Sequence, residues 1–512
     1  MEEKKQSVVD VILVNPTRVG IDSYCTPPLH LMYLKRALNN CGYSACIINV
    51  HEIFCKAIGK YDNFLTCLDQ KQKIEDQAIT DILNLEARLI GIGGVCPSYK
   101  FSERLVVAIK AKKKIPIIIG GSLGLPLKEL WFKHTDVDFL CEGDGETLIV
   151  ELIKNLSNSE KLHQIPGLYW RNNLTWKGNL PQLPSNLDYV ITPDIRDVDY
   201  EFYMSTLKRW INATLPREHQ LTETNRVWPV VLTRGCIYNC LFCFHFNRKH
   251  RCHSIKYIVD HLKNLKNEFG VDVIMTWDDL IMANPKWFMT LCDVLAENSL
   301  GIKIFSSGGK ANLITEEMAI KMARANFFRI SYGIESGSQE ILDEMKKNAS
   351  VEDNKRAIEV TTNVGIFVHI NMVLGMPSET RKTLRETEDF LIDVVSRNSL
   401  NMSNISCSYA TGYPGTQLFD LMIAKGLVGD LREYVFNIQG VGTPEPILCK
   451  LSKDELEYFV FRLRLRINNN YYSKRGDYVH KIANVFLYNR FSYKARRCFS
   501  YNIKNAIRKF MK

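Results

Sequence analysis

Three thiols crowd together in an otherwise scattered set. Cys236, Cys240 and Cys243 lie in the run Thr233-Arg234-Gly235-Cys236-Ile237-Tyr238-Asn239-Cys240-Leu241-Phe242-Cys243. Spacings of four and three let all three side chains converge on one metal centre from a single loop. Iron–sulfur clusters are normally held by four cysteine thiolates. Three at a [4Fe–4S] cluster leave one iron open to bind and polarise a second molecule. A closed tetrahedral zinc site is the competing chemistry, with His245, His250, Cys252 or His253 as the fourth ligand. Structural zinc usually uses paired C-x-x-C hooks, and the chain has no second hook, so iron is the better reading. The other twelve of the fifteen cysteines read as small buried apolar residues.

The elements that must position this loop are legible around it. Strand-like runs at Val230 to Thr233, Val271 to Thr276, Ile302 to Phe305, Phe328 to Gly333, Phe367 to Leu374 and Met402 to Tyr409 alternate with helical segments such as Lys256 to Phe269, Thr315 to Ala325 and Thr380 to Val395. Six βα units in succession predict a barrel or partial barrel with a parallel inner sheet, whose active site lies at the carboxyl ends of the strands. The cysteines begin where the first of these strands ends. Acids stand at two later ends: Asp278 and Asp279 after the second strand, and Glu335 after the fourth. A carboxylate there can accept from an ammonium or from ribose hydroxyls; a helix N-cap at Asp279 and a salt bridge at Glu335 are the structural alternatives.

The first 156 residues have the same rhythm in a different form. Val8 to Val14 is a nearly continuous apolar, β-branched run, as a strand buried on both faces requires. Further strands are predicted at Ala45 to Val50, Leu89 to Gly93, Pro116 to Ile119 and Val137 to Cys141, with helices at Leu29 to Asn39, Phe101 to Lys113, Pro126 to Phe132 and Glu146 to Leu156. This predicts an open parallel α/β sheet, which binds ligands at the carboxyl ends of its strands. Glycines gather there: Gly93-Gly94, Gly120-Gly121, Gly143 and Gly145. The domains expected are therefore 1–156, a linker with a small hairpin over 157–226, the barrel over 227–430, and a helical, basic region over 431–512.

These motifs together resemble the radical SAM superfamily, whose signature is C-x-x-x-C-x-aromatic-C after the first strand of a partial (β/α)6 barrel. Phe242 is the aromatic, and Trp277-Asp278-Asp279-Leu280, Gly333-Ile334-Glu335-Ser336-Gly337, Gly375-Met376-Pro377-Ser378-Glu379-Thr380 and Pro414-Gly415-Thr416 follow in the family's order. The N-terminal region is similar to the cobalamin-binding domain of one large subgroup, through Asn15-Pro16, the helix from Pro28-Leu29, Gly120-Gly121-Ser122 and Glu142-Gly143-Asp144-Gly145-Glu146. The chain has no D-x-H-x-x-G signature, which supplies a cobalt ligand in another cobalamin family. That fits the radical subgroup, where cobalt usually lacks a protein histidine. Ser122-Leu123-Gly124-Leu125 stands where His-x-Thr is commoner.

The resemblance implies a flavodoxin- or Rossmann-like domain followed by the barrel. It implies that Cys236, Cys240 and Cys243 ligate a [4Fe–4S] cluster whose fourth iron is chelated by S-adenosylmethionine, which one electron cleaves to methionine and a 5′-deoxyadenosyl radical. Phe242, Asp278, Asp279, Glu335 and Met376 are then expected at the S-adenosylmethionine site. Lys310 occupies a position where relatives tend to carry Arg. Asn15, Gly94, Gly120, Gly121, Ser122 and Glu142 are expected against cobalamin, small residues letting the corrin approach the backbone. The activity implied is methyl transfer to an unactivated carbon or phosphorus centre of a small-molecule, peptide or lipid substrate, with an electron donor such as flavodoxin or ferredoxin. A cyclase or oxidoreductase of the same build is the alternative within the class. A zinc-stabilised protein acting on nucleic acid is the alternative outside it.

Bulk properties agree with an enzyme. The 512 residues are 46% hydrophobic and 24% charged, an ordinary globular balance. No window offers the ~20 uninterrupted apolar residues of a membrane span, and the charged Met1 to Ser7 lacks the form of a secretory signal, so a cytoplasmic location is expected. The net charge of +10 is concentrated at the end: Tyr471 to Lys512 holds eleven Lys or Arg against Asp477 alone. Aromatics interleave the basic residues from Lys481 onward, so a membrane-surface or phosphate contact would sit there, and nucleic acid is not expected elsewhere.

Overall fold

The computed structural model describes residues 8–18, 25–58, 64–173, 175–398, 401–438 and 446–474. The chain divides into two compact units. One comprises Met1–Leu207 and Tyr413–Gly440, the other Lys208–Gly412 and Val441–Lys512.

The first unit is a seven-stranded sheet. Strands β1 (Val8–Asn15), β2 (Ala45–Asn49), β3 (Glu86–Gly93), β4 (Ile117–Gly120) and β5 (Phe139–Cys141) are parallel in the order 2-1-3-4-5. The continuous apolar run of β1 is explained by its central place: Val11, Ile12, Leu13 and Val14 are all 0% exposed. Successive side chains sort to opposite faces. Ile12 and Val14 join Tyr99, Trp131 and the Ile117/Ile119 pair on one side, while Val11 and Leu13 join Leu31, Leu38, Ile149 and Leu152 on the other. An antiparallel hairpin, β6 (Leu168–Arg171) and β7 (Trp176–Gly178), extends the sheet beyond β5. The hairpin expected in a linker thus builds the sheet edge. Val435 and Ile438, far along the chain, complete the core on the Tyr99 face, where Phe436 lies 6.0 Å from the Tyr99 ring.

The second unit carries six parallel strands. They are β8 (Val227–Val230), then β11 (Val273–Thr276), β12 (Lys303–Gly309), β13 (Phe327–Glu335), β14 (Phe367–Leu374) and β15 (Met402–Tyr409); between the first two lies a short antiparallel ribbon of β9 (Thr233–Arg234) and β10 (Arg251–Cys252). The six pair in sequence order with β8 and β15 as the two edges, the arrangement of a partial (β/α)6 barrel. Four of the intervening helices have a start signal. Ser254, Asn284, Thr315 and Ser350 accept from the amide three residues on, at the heads of Ile255–Phe269, Pro285–Asn298, Glu316–Arg324 and Val351–Asn363. Asn284, not Asp279, is the cap of its helix. A last helix, Lys453–Lys474, lies on Arg381–Asn398, where Arg462 and Arg466 both reach the buried Glu388 at 2.8 and 2.9 Å. The basic stretch from Lys481 falls outside the described residues. Among the described residues no helix is long and apolar enough to cross a membrane.

Candidate active site

The cysteine loop is suspended between two clamps at its entry. Strand β8 ends at Val230, and the chain then meets the two acids that follow β11. Asp278, 6% exposed, accepts from the Leu232 amide at 2.9 Å, from the Thr233 amide, and from the Thr233 hydroxyl at 3.0 Å, all on Oδ1. Its Oδ2 is buried with no hydrogen-bond partner. Burial pushes this carboxyl up to about 7, against the pull of hydrogen bonds from Thr233, Leu232 and Thr276. Asp279 Oδ2 accepts from the Gly235 amide at 2.8 Å. Both acids therefore hold the strand-to-loop transition, a role their position at a strand end does not by itself reveal.

Gly235 makes the turn that follows. Its φ of +89°, with the Lys249 carbonyl pressed against the place where a Cβ would stand, leaves room only for glycine. The β9–β10 ribbon brings Lys249 there, pairing Arg234 with Arg251 and Thr233 with Cys252, so the loop between them is closed at its base. Further on, the Leu241 amide donates to the Met345 carbonyl at 3.0 Å, and the Cys243 amide to the Cys240 carbonyl at 3.1 Å. Cys240 is buried; Cys236, Phe242 and Cys243 are half-buried.

The electrostatics favour a thiolate at Cys240. Cys240 is lowered to about 6, first because Cys243 donates to it and then because Lys347 and Lys310 stand near. Cys243, the donor, is pushed up by that same hydrogen bond and by burial, and burial also raises Cys236. Lys347 and Glu335 form a buried ion pair at 2.9 Å. Burial works against the Lys347 charge, but Glu335 and Cys240 outweigh it and the ammonium is raised. Lys310 is 4% exposed, lies 4.1 Å over the Tyr238 ring and donates to the Lys347 carbonyl. Burial, with Lys347 beside it, lowers it to about 8. Glu335 sits at φ +67° beside a bulge in the β13–β14 pairing, a rare conformation for a residue with a side chain. Lys347 is the partner that sequence reasoning missed; no motif surrounds it, and only the fold brings it to the loop.

Met376 is fully buried, and its carbonyl accepts from the Glu379 amide at 2.8 Å. Glu379 turns back to accept from Gly375 at 3.3 Å and from Thr383 at 2.5 Å, and burial lifts it to about 7.

The donor set fits an iron–sulfur cluster better than one small ion. A cluster spreads its thiolates wider than a single metal does. Among the described residues, the one group of three His, Cys, Asp or Glu donors lying within 4.8 Å of one another is Cys25, His51 and Cys55, in the other unit. Of the zinc alternatives, His250 turns its Nε2 to the Leu280 carbonyl at 3.0 Å and its Nδ1 to Cys252 at 3.8 Å, and His253 stacks on Tyr257 with centroids 4.4 Å apart.

In the first unit, Gly94, Gly120, Gly121 and Ser122 meet at the carboxyl ends of β3 and β4. The Gly94 amide donates to the Gly120 carbonyl at 3.4 Å, and the Ser122 hydroxyl accepts from Cys96 at 3.3 Å. Gly121, at φ +78°, is required by the chain itself, since a Cβ would run into the Gly94 carbonyl. Asn15 donates to Asn49 at 2.7 Å across β1 and β2. Glu142 is held at the hairpin edge by the Tyr169 hydroxyl at 2.8 Å.

Comparison with known proteins bears on this parallel partial barrel with three thiols beyond its first strand. The family described as the radical SAM superfamily matches residues 230–391. An uncharacterized methyltransferase of Pyrococcus horikoshii is 25% identical over 364 residues, covering 69% of this chain and 74% of its own length. The anaerobic magnesium-protoporphyrin IX monomethyl ester cyclase of Rubrivivax gelatinosus is 24% identical over 372 residues, 71% of this chain but only 63% of its own length. The radical S-adenosylmethionine methyltransferase TsrM of Kitasatospora setae, solved with cobalamin and a [4Fe–4S] cluster, superposes with a TM-score of 0.60 at 16% identity, covering 83% of this chain and 76% of that one. Residues 230–391 thus match the radical SAM superfamily, and the chain shares the fold of TsrM over most of its length.

Proposed function

We propose that the protein is a cobalamin-dependent radical S-adenosylmethionine enzyme that transfers a methyl group to an unactivated carbon or phosphorus centre of a small-molecule, peptide or lipid substrate. The observation that carries the reading is the three-thiol loop with its acidified Cys240, set beside the Lys347–Glu335 pair and Lys310. When bound, a [4Fe–4S] cluster with one open iron supplies the electron that cleaves S-adenosylmethionine, and cobalamin supplies a methyl carrier.

The chain's own residues do the rest. Cys236, Cys240 and Cys243 hold the cluster, and Lys310 and Lys347 stabilise the thiolate form that iron requires. Asp278 and Asp279 fix the loop. Phe242, Glu335 and Met376 are assigned to the S-adenosylmethionine side, Glu335 with its charge already balanced by Lys347. Asn15, Gly94, Gly120, Gly121, Ser122 and Glu142, within 1–156, are assigned to cobalamin; the barrel over 227–430 carries the radical chemistry. An electron donor of the flavodoxin or ferredoxin kind docks from outside, and the basic stretch from Lys481 serves contact with phosphate or an anionic membrane surface.

A second reading, cyclisation or oxidation without methyl transfer, is favoured by the likeness to the Rubrivivax cyclase. Anaerobically purified protein, reduced and given S-adenosylmethionine with candidate substrates, separates the two. Methyl transfer yields 5′-deoxyadenosine together with S-adenosylhomocysteine and a methylated product. 5′-Deoxyadenosine without S-adenosylhomocysteine supports the second reading. Protein that binds no iron overturns both.

A further inference from the structure

The first unit holds a second set of metal-binding side chains, unconnected with the cysteine loop. Strand β2 ends at Asn49 and the helix Val50–Ile58 starts at once, so His51 and Cys55, four residues apart, share one helical face. Cys25, 1% exposed, lies ahead of the helix Leu29–Asn40, where the Thr206 hydroxyl fixes its carbonyl at 2.8 Å. The donor atoms of Cys25, His51 and Cys55 all lie within 4.8 Å of one another. Ligands on a tetrahedral zinc ion, with bonds of ~2.0–2.3 Å, stand about 3.3–3.8 Å apart, so a small inward movement closes the site.

Without a cation the cluster leaves one buried ring nitrogen of His51 unsatisfied. His51 is 7% exposed; its Nε2 faces the Cys55 sulfur at 3.6 Å, and its Nδ1 is buried with no hydrogen-bond partner. The two thiols hydrogen-bond each other, which with burial pushes Cys25 far up. A divalent ion resolves all of this. Two thiolates and a neutral imidazole cancel its charge, leaving a neutral centre that burial tolerates, and two protons pass to solvent. A fourth group is at hand. The Tyr203 hydroxyl hydrogen-bonds to Cys25, donates to Glu52 at 2.5 Å and accepts from Asn49 at 2.7 Å, so it can fill the remaining position or hold a water there. Mixed thiolate and imidazole donors select zinc among the common cellular cations.

We propose that Cys25, His51 and Cys55 bind one zinc ion in the N-terminal α/β unit, tying the segment ahead of Leu29–Asn40 to the helix Val50–Ile58. The proposal is independent of the catalytic reading. It is tested on the full chain, as parent and as the triple variant Cys236→Ala, Cys240→Ala, Cys243→Ala, each incubated with zinc and then dialysed. About one zinc per chain is expected in both, with iron only in the parent. His51→Ala and Cys55→Ser are expected to lose the zinc while keeping the parent's iron. A second measurement needs no variant: added zinc should slow maleimide labelling of Cys25 and Cys55 in the parent by roughly tenfold, reversed by chelator. Zinc retained in both single variants, labelling indifferent to zinc and chelator, or a Cys25–Cys55 disulfide in protein prepared without oxidant would each overturn the proposal.

Discussion

Asp278 tests how far the cysteine loop depends on its entry clamp. Replacing it by alanine leaves the Leu232 and Thr233 amides and the Thr233 hydroxyl, all buried, without their acceptor. At about 1–3 kcal/mol for each orphaned amide, with the hydroxyl able to turn elsewhere, the loss is about 2–6 kcal/mol. Asparagine retains an oxygen where Oδ1 stands and puts an NH2 where the partnerless Oδ2 is now. Its cost is one unsatisfied NH2 group, about 1–3 kcal/mol. The expected order of stability and of iron retention is therefore parent, then Asp278→Asn, then Asp278→Ala. Urea midpoints, with iron and sulfide per chain after anaerobic purification, measure both. Full iron and an unchanged midpoint in Asp278→Ala would refute the clamp.

Gly235→Ala forces a side chain into positive φ and against the Lys249 carbonyl, and should strip iron from the protein; Gly42→Ala, at φ +82° but with open space around it, should cost only about 1 kcal/mol, and denaturation of the two variants compares them. Lys347→Met leaves Glu335 buried without its partner and should destabilise by about 3–5 kcal/mol, with much of that recovered in the Glu335→Gln, Lys347→Met double variant, as a urea-melt cycle would record. Glu379 keeps its proton to about pH 7 in the folded chain but releases it near its ordinary 4.5 when unfolded. Its contribution is thus intact below about pH 4.5 and lost as pH rises to 7, up to about 3 kcal/mol. Glu379→Gln should flatten that part of the stability profile measured between pH 4.5 and 8.

The strands were legible wherever burial is two-sided. The run at Phe367–Leu374 coincides with β14 to the residue, because a parallel strand covered on both faces has no polar side to blur its limits; Met402–Tyr409 coincides with β15 as well, although this edge strand is buried only at its two ends. The first barrel strand lies earlier than its apolar run suggests: β8 contains Pro229, which an edge strand accepts because one side of its backbone needs no partner. Between β2 and β3 the sequence shows no clear element, yet Val50–Ile58 and Phe64–Leu83 are helices, the second too rich in Asp, Gln and Lys for a clean apolar stripe. At the site, the thiols and the acids are visible as motifs, since each belongs to one short segment. The work of Asp278, the ribbon that closes the loop, and Lys347 are invisible for the opposite reason. Each depends on groups separated by 12 to 46 residues that only the barrel brings together.

The return of Tyr413–Gly440 to the first unit has a practical consequence. Val435 and Ile438 fill the same apolar layer as Tyr99 and Trp131, so a fragment stopped at Leu207 would be born with a hole in its interior and Phe436 missing from beside Tyr99. Anyone wishing to study the N-terminal half alone must graft that late segment back on, and a nonsense codon before it would damage the beginning of the protein as well as its end.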